Sequence, residues 1–240
     1  MISFSNILKY GAEISSSGTT GPPKTIFRTP ENLKACNKVA IDAQELTSSS
    51  KVLTVTRILH AGGLLLQTLP AYTLGCEIHI EKFNAFNFLK QLRNFTHTFI
   101  TPGQMTALMR TKGFKDCDLT GKRILGGSDP VTWEMIEAFV SKGAIVQPNW
   151  GMSEIGPTAI NIIFQDLDQV KEVKRQSPLP LDEWTILGNN YYCDWKIENW
   201  ELVVKGDICI YNDWFKTGDI VTTDFSSNLY YKGRKYLIYY

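Results

Sequence analysis

The chain predicts an α/β fold, a layered sheet-and-helix core followed by a β-rich sub-domain, on three observations. Through the first two thirds, short apolar runs bounded by turn residues alternate with helix-period patterns. From Trp184 onward, short β-rich segments succeed one another with Gly, Asn and Asp between them. With 240 residues, 43% hydrophobic and 20% charged, the chain can bury a real core, and one domain with a sub-domain is the size expectation. The division is placed at 1–165 and 166–240.

The elements follow in order. Runs at 52–58, 77–80, 98–101, 123–125 and 144–147 are short and bounded by turns or polar residues, as buried strands are. Between them, Thr29 offers a hydroxyl N-cap, Pro30 suits the first helical position and Glu31 the first turn. Leu33, Cys36, Val39, Ala40 and Ala43 then recur at helical spacing. Pro130 is read as opening a second helix, with Trp133, Ile136, Phe139 and Val140 on one face and Gly143 near its end. Residues 166–175 are a charged stretch and 177–180 a proline-marked bend before the β-rich part. Tyr230, Tyr231, Tyr236, Tyr239 and Tyr240 crowd the end, either packed inward along terminal strands or forming an aromatic patch for a partner.

Composition narrows the function classes. A formal net charge of +1, with no basic stripe interleaved with aromatics, argues against nucleic acid and acidic membranes as partners. Cys36, Cys76, Cys117, Cys193 and Cys209 are scattered with no CxxC pair, so they read as buried thiols of a reducing cytosol, with neither a disulfide framework nor a zinc site. No basic start leads an apolar run, and the aliphatic stretch at 64–66 is far too short to span a bilayer, so an untargeted, soluble, cytoplasmic chain is expected.

Residues 15–25 read SSSGTTGPPKT. Glycines let backbone N–H groups converge on an anion, the hydroxyls of Ser16, Ser17, Thr19 and Thr20 add donors, and Lys24 adds charge, so the run suits phosphate; a surface loop with no ligand is the competing reading. Counted from Gly18, the run nearly satisfies the P-loop spacing, but Pro23 replaces the glycine before the lysine. Proline has no N–H and fixes φ, so a nest ending at that lysine cannot form.

The order of Ser17, Gly18, Thr19, Thr20, Gly21, Pro23 and Lys24 instead resembles the signature of the adenylate-forming enzymes, which comprise acyl-CoA synthetases, peptide-synthetase adenylation domains and luciferases. Further matches follow in that family's order. Gly126, Gly127 and Ser128 stand like its glycine-rich turn beside the adenine; Asn149, Trp150, Gly151, Met152, Ser153 and Glu154 resemble its NxYGxTE; FKTGD at 215–219 matches its [YF]xTGD; Gly233 and Arg234 stand where it has GR before a hinge. The resemblance covers about 12–238 and implies the family's large-domain fold.

It also implies a chemistry: a small carboxylic acid is joined to the α-phosphate of ATP, giving an acyl adenylate and pyrophosphate, with transfer to coenzyme A, a carrier thiol or an amine. By the family pattern Thr20 and Lys24 would lie on the pyrophosphate side, Ser153 would contact the α-phosphate, and Glu154 would hold Mg²⁺ between phosphate oxygens. Asp219 would accept both ribose hydroxyls, Arg234 would donate to the same sugar, and Trp150 would stack on adenine or serve as ordinary core. His60, in a segment similar to one in aryl-acid ligases such as the o-succinylbenzoate enzymes, would sit near the substrate carboxylate, with Gly62 and Gly63 leaving room for the acyl group; a satisfied core histidine is the alternative. Gly127, Ile155 and Gly156 complete the expected acyl-pocket lining. His79 and His97 receive no role.

Departures from the family matter as much. Its long N-terminal stretch and its small C-terminal domain, which brings a catalytic lysine, are expected to be absent, and Tyr236 and Tyr240 stand where it has the hinge aspartate and a lysine. Slow adenylation in isolation, or a partner chain or carrier protein supplying the missing function, is therefore expected. A non-catalytic ATP- or AMP-binding module and an interaction protein built on this fold stay open beside the acid ligase.

Overall fold

A computed structural model describes residues 3–15 and 24–235. In chain order the elements are α1 (Phe4–Tyr10), β1 (Ala12–Ser15), β2 (Thr25–Arg28), α2 (Pro30–Gln44), β3 (Lys51–Thr54), a π-helix (Gly62–Thr68) running into α3 (Leu69–Leu74), β4 (Glu77–Ile80) and α4 (Phe88–Leu92). Then come β5 (His97–Ile100), α5 (Pro102–Met109), α6 (Lys112–Lys115), β6 (Arg123–Gly126), α7 (Trp133–Val140), β7 (Ile145–Met152), β8 (Gly156–Asn161) and α8 (Leu167–Gln176). The rest is strand: β9 (Thr185–Gly188), β10 (Asn190–Tyr191), β11 (Asp194–Glu198), β12 (Glu201–Lys205), β13 (Phe215–Thr223) and β14 (Leu229–Arg234).

These strands make three sheets. The large one runs β10, β8, β7, β6, β5, β3, β4. Its strands β4, β3, β5, β6 and β7 pair in parallel, whereas β8 and β10 add antiparallel. A parallel sheet is covered on both faces, and successive side chains serve opposite layers. On β5, Phe99 packs with Ala40, Leu66 and Leu125, whereas Ile100 joins a separate cluster with Met105, Ile136 and Phe139. On β6, Leu125 and Ile124 divide the same way. The second sheet runs β11, β12, β13, β14, β9, antiparallel throughout. The third, β1 with β2, pairs Ser15 with Thr25.

Local chemistry explains the boundaries. Thr29 caps α2 as expected, its side chain accepting from the Asn32 N–H with Pro30 at the first turn. Pro70 has no N–H to offer the Leu66 carbonyl in α-helical register, and buried Gln44 fills the gap, its Nε2 donating to that carbonyl at 2.6 Å. Four expectations are corrected or extended. The run at 52–58 is a strand only to Thr54, because the chain then turns, with His60 N donating to the Arg57 carbonyl at 3.1 Å. Helix α7 opens at Trp133 with Thr132 as its cap, leaving Pro130 outside it. The charged stretch is the helix α8, capped by Asp166 accepting from Gln169 N at 2.8 Å and buried through Val170. Strand β7 runs past the predicted 144–147 to Met152.

The five cysteines are free, but Cys117 and Cys193 are only half-buried. Tyr230 is fully buried, its hydroxyl donating to Asp224 Oδ2 at 3.0 Å, and Tyr231 is half-buried. Tyr236, Tyr239 and Tyr240 lie outside the described residues. No helix among the described residues is long and apolar enough to cross a membrane.

Candidate active site

Parallel strands present their carboxyl ends to a common crevice, the usual ligand position in such sheets. Strand β6 ends there at Gly126, continuing to Gly127 and Ser128, and β7 brings Asn149, Trp150, Gly151 and Met152. From the second sheet, β13 contributes Asp219 and β14 contributes Arg234, which are direct cross-strand partners. Ser128, Asn149, Trp150, Gly151, Asp219 and Arg234 line one cleft of about 550 Å³ between the two sheets. Segments far apart in the sequence thus share one wall.

The chemistry of that wall is polar and tightly wired. Trp150 Nε1 donates to Asp219 Oδ2 at 2.8 Å, and Arg234 Nε stands 2.6 Å from Asp219 Oδ1. Burial pushes the Asp219 carboxyl up, and the Arg234 charge, then the Trp150 hydrogen bond, pull it back. Although Oδ1 is paired with Arg234 in charge, it lacks a well-aligned hydrogen bond and retains lone-pair capacity for a hydroxyl. Asn149 donates Nδ2 to the Pro157 carbonyl at 2.6 Å while its buried Oδ1 has no partner. Ser128 holds φ at 75°, a left-handed conformation rare outside glycine and concentrated at functional turns.

Trp150 lines the cleft and also packs with Cys36, Ile155 and Ala159 in a hydrophobic cluster. Ser153 and Glu154 form the turn from β7 to β8, held from behind by Arg28 Nη2 donating to the Ser153 carbonyl at 2.6 Å and Ile210 N donating to the Glu154 carbonyl at 2.9 Å. Ser153 is buried and Glu154 half-buried. Lys24 is exposed at the start of β2. Ser16, Ser17, Gly18, Thr19, Thr20 and Gly21 lie outside the described residues.

His60 is half-buried, its Nδ1 accepting from Gly62 N at 3.2 Å, so a neutral ring carries its proton on Nε2. Burial, then the Arg57 charge, push its pKa down. The room expected beside the glycines is corrected. A Cβ on Gly62 would stand 2.5 Å from the Phe99 ring, one on Gly63 2.1 Å from the Arg57 carbonyl oxygen, and one on Gly127 2.6 Å from the Asn149 carbonyl oxygen. These glycines admit close packing, and Phe99 occupies the space between Gly62 and Gly127. Ile155 is fully buried in a hydrophobic cluster, and Gly156 backs onto Ile208.

Several cleft residues carried no sequence signal. Tyr231, Val131 and the strand segment Thr185, Ile186 and Leu187 line it, because β14 pairs with β9 and lays that strand along the wall. Burial pushes the Tyr231 phenol up to about 12, fixing it as a neutral donor and acceptor. His97, given no role, is a buried structural residue whose Nε2 contacts the Gln44 carbonyl at 3.1 Å.

Comparison with known proteins bears on this arrangement. A family model described as AMP-binding enzyme matches residues 14–214. An indoleacetate–CoA ligase of Aromatoleum aromaticum is 29% identical over 240 aligned residues, covering 92% of this chain and 46% of that protein. The chain therefore spans about half the length of this relative. Among solved structures, the N-terminal domain of FACL13 from Mycobacterium tuberculosis aligns with a TM-score of 0.76 at 18% identity, over 92% of this chain and 60% of that one. The o-succinylbenzoate coenzyme A synthetase MenE from Bacillus subtilis, in complex with ATP and magnesium ion, aligns with a TM-score of 0.74 at 20% identity, over 93% and 50% respectively.

Proposed function

The chain belongs to the AMP-binding enzyme family, and from that premise we propose that it activates a small carboxylic acid with ATP, forming an acyl adenylate and releasing pyrophosphate. A carboxylate oxygen attacks the α-phosphorus; the bond from that phosphorus to the bridging oxygen breaks, and the electron pair leaves with pyrophosphate. Coenzyme A is the proposed acceptor, its thiol displacing AMP from the adenylate. The observation that carries this reading is the cleft in which Trp150, Asp219 and Arg234 converge with Ser128 and Asn149.

Each residue has a stated task. The apolar face of Trp150 lies beside the base, and Asn149 Oδ1 offers an acceptor to its amino group. Asp219 accepts from ribose hydroxyls, with Arg234 keeping its carboxylate ionised. Lys24 and the 16–21 segment meet the departing pyrophosphate, Ser153 the α-phosphate, and His60 the carboxylate of the acid.

The donor set also fits Mg²⁺ of one particular kind. Among the described residues no three His, Cys, Asp or Glu side chains cluster to cage a metal. Mg²⁺ binds through one or two carboxylates plus substrate phosphates, and Glu154 on its turn fits that role. When bound, the ion neutralises charge on the pyrophosphate.

Exchange of labelled pyrophosphate into ATP, across a panel of aryl and alkyl carboxylic acids, tests the proposal. Exchange with one acid that vanishes in Lys24→Ala and Glu154→Ala is expected. ATP binding without exchange for any acid would replace the ligase by a nucleotide-binding module.

A further inference from the structure

Arg28 closes β2, and it points inward with Ile26 on a strand whose alternate residues are exposed. It is fully buried. A guanidinium has five donors and no acceptor, so burying it costs several kcal/mol unless its partners are well placed, and an apolar residue of similar volume often serves stability better. Its partners are not carboxylates. Nη1 donates to the Ile208 carbonyl at 2.9 Å, to Cys36 Sγ at 3.2 Å and to Asn32 Oδ1, and Nη2 donates to the Ser153 carbonyl. Asn32 extends the grip, its Nδ2 donating to the carbonyls of Asp207 at 2.9 Å and Cys209 at 3.0 Å.

Three distant segments therefore meet on one cation: the strand leaving the 16–24 segment, the Ser153–Glu154 turn and the 207–210 loop. Arg keeps its charge even when burial disfavours it.

We propose that Arg28 is a positioning residue for acid activation, fixing the backbone of Ser153 and with it the turn that carries the Ser153 hydroxyl and the Glu154 carboxylate to the nucleotide phosphates. The inference rests on the proposed function. Removing the residue that orients a metal-holding carboxylate typically weakens metal affinity by about 10–100-fold.

The test compares Arg28→Lys and Arg28→Gln with Arg123→Lys, a second buried arginine at the opposite end of the parallel strands that pairs with Glu45. ATP affinity is measured with and without Mg²⁺, and adenosine affinity alongside. Both Arg28 variants should lose about tenfold or more of the Mg²⁺-dependent gain in ATP affinity, with affinity for adenosine, which carries no phosphate, within about twofold of wild type, a change that RT sets at under half a kcal/mol. Arg123→Lys should lower the melting temperature and leave that gain intact.

Amide hydrogen exchange supplies an arm that needs no nucleotide. In Arg28→Lys, the Ile155 and Ile210 amides, which bond to the Met152 and Glu154 carbonyls, should exchange about tenfold faster than in Arg123→Lys. Parallel loss of ATP and adenosine affinity, or unchanged exchange at Ile155 and Ile210, would overturn the proposal. If wild type binds neither ATP nor adenosine, the functional reading fails, while exchange still decides whether Arg28 holds the turn.

Discussion

Trp150 and Asp219 bridge the two main sheets: the indole Nε1 on β7 donates to the carboxylate Oδ2 on β13 at 2.8 Å, both residues nearly buried. The bond orients the carboxylate toward the cleft and holds the sheets in register. The indole N–H thus has a buried partner while its ring keeps an apolar face on the cleft.

Replacing Trp150 by Phe keeps most of that ring and removes the donor. Asp219 Oδ2 then loses a partner inside the protein, which costs about 2–3 kcal/mol for a charged acceptor. A lower melting temperature is expected, together with weaker AMP binding, and calorimetry on the same sample reads both. Unchanged stability would mean that water replaces the indole.

Gly218 sets the turn that delivers Asp219. Its φ is 77°, its N–H donates to Glu201 Oε1 at 2.9 Å, and Lys235 N donates to its carbonyl at 2.8 Å. A Cβ added there would meet no atom within 4 Å, so a Gly218→Ala penalty is conformational, roughly 1–2 kcal/mol. Glu201→Gln keeps an acceptor for Gly218 and loses the ion pair to Lys235, so chemical denaturation should find it milder than Gly218→Ala.

What could be read without coordinates follows from how local each signal is. Thr29 with Pro30 marked the start of α2 because cap chemistry lies within one turn. Pro130 misled because Thr132, two residues on, offers the hydroxyl that a cap needs. Helix α8 carried its signal in Asp166 and in Leu167, Val170 and Val173 at helical spacing, under a charge content that masked it. Asn149–Gly151, Asp219 and Arg234 stood out as contiguous motifs. Tyr231 and Thr185–Leu187 did not, since only the β14–β9 pairing brings them to the cleft. Arg28 carried no signal, since its partners at Ser153 and Ile208 lie far along the chain and only the fold brings them to it.

Gly62 and Phe99 are expected to be coupled. Gly62→Ala places a methyl 2.5 Å from the Phe99 ring in a close-packed layer, an overpacking cost of about 1–3 kcal/mol. Phe99→Leu frees that space at its own cost. In the double variant the costs should fall short of additive by about 1 kcal/mol or more, measured by a double-mutant cycle in urea. Strict additivity would place the ring elsewhere in solution.

Acid sensitivity should trace to His97. Burial holds its imidazole down at about 4, from an ordinary value of 6.5, and the Gln44 carbonyl interaction only partly offsets this. The native state therefore resists protonation while the unfolded chain accepts it. Stability from this residue is complete above pH 6.5 and is lost as pH falls toward 4, amounting to about 3 kcal/mol over that window. His97→Gln cannot titrate, so its unfolding free energy should stay flatter between pH 6.5 and 4 even if it is lower at pH 7. Urea melts at half-unit pH steps compare the slopes, and equal slopes in the two proteins would assign the acid response to other groups.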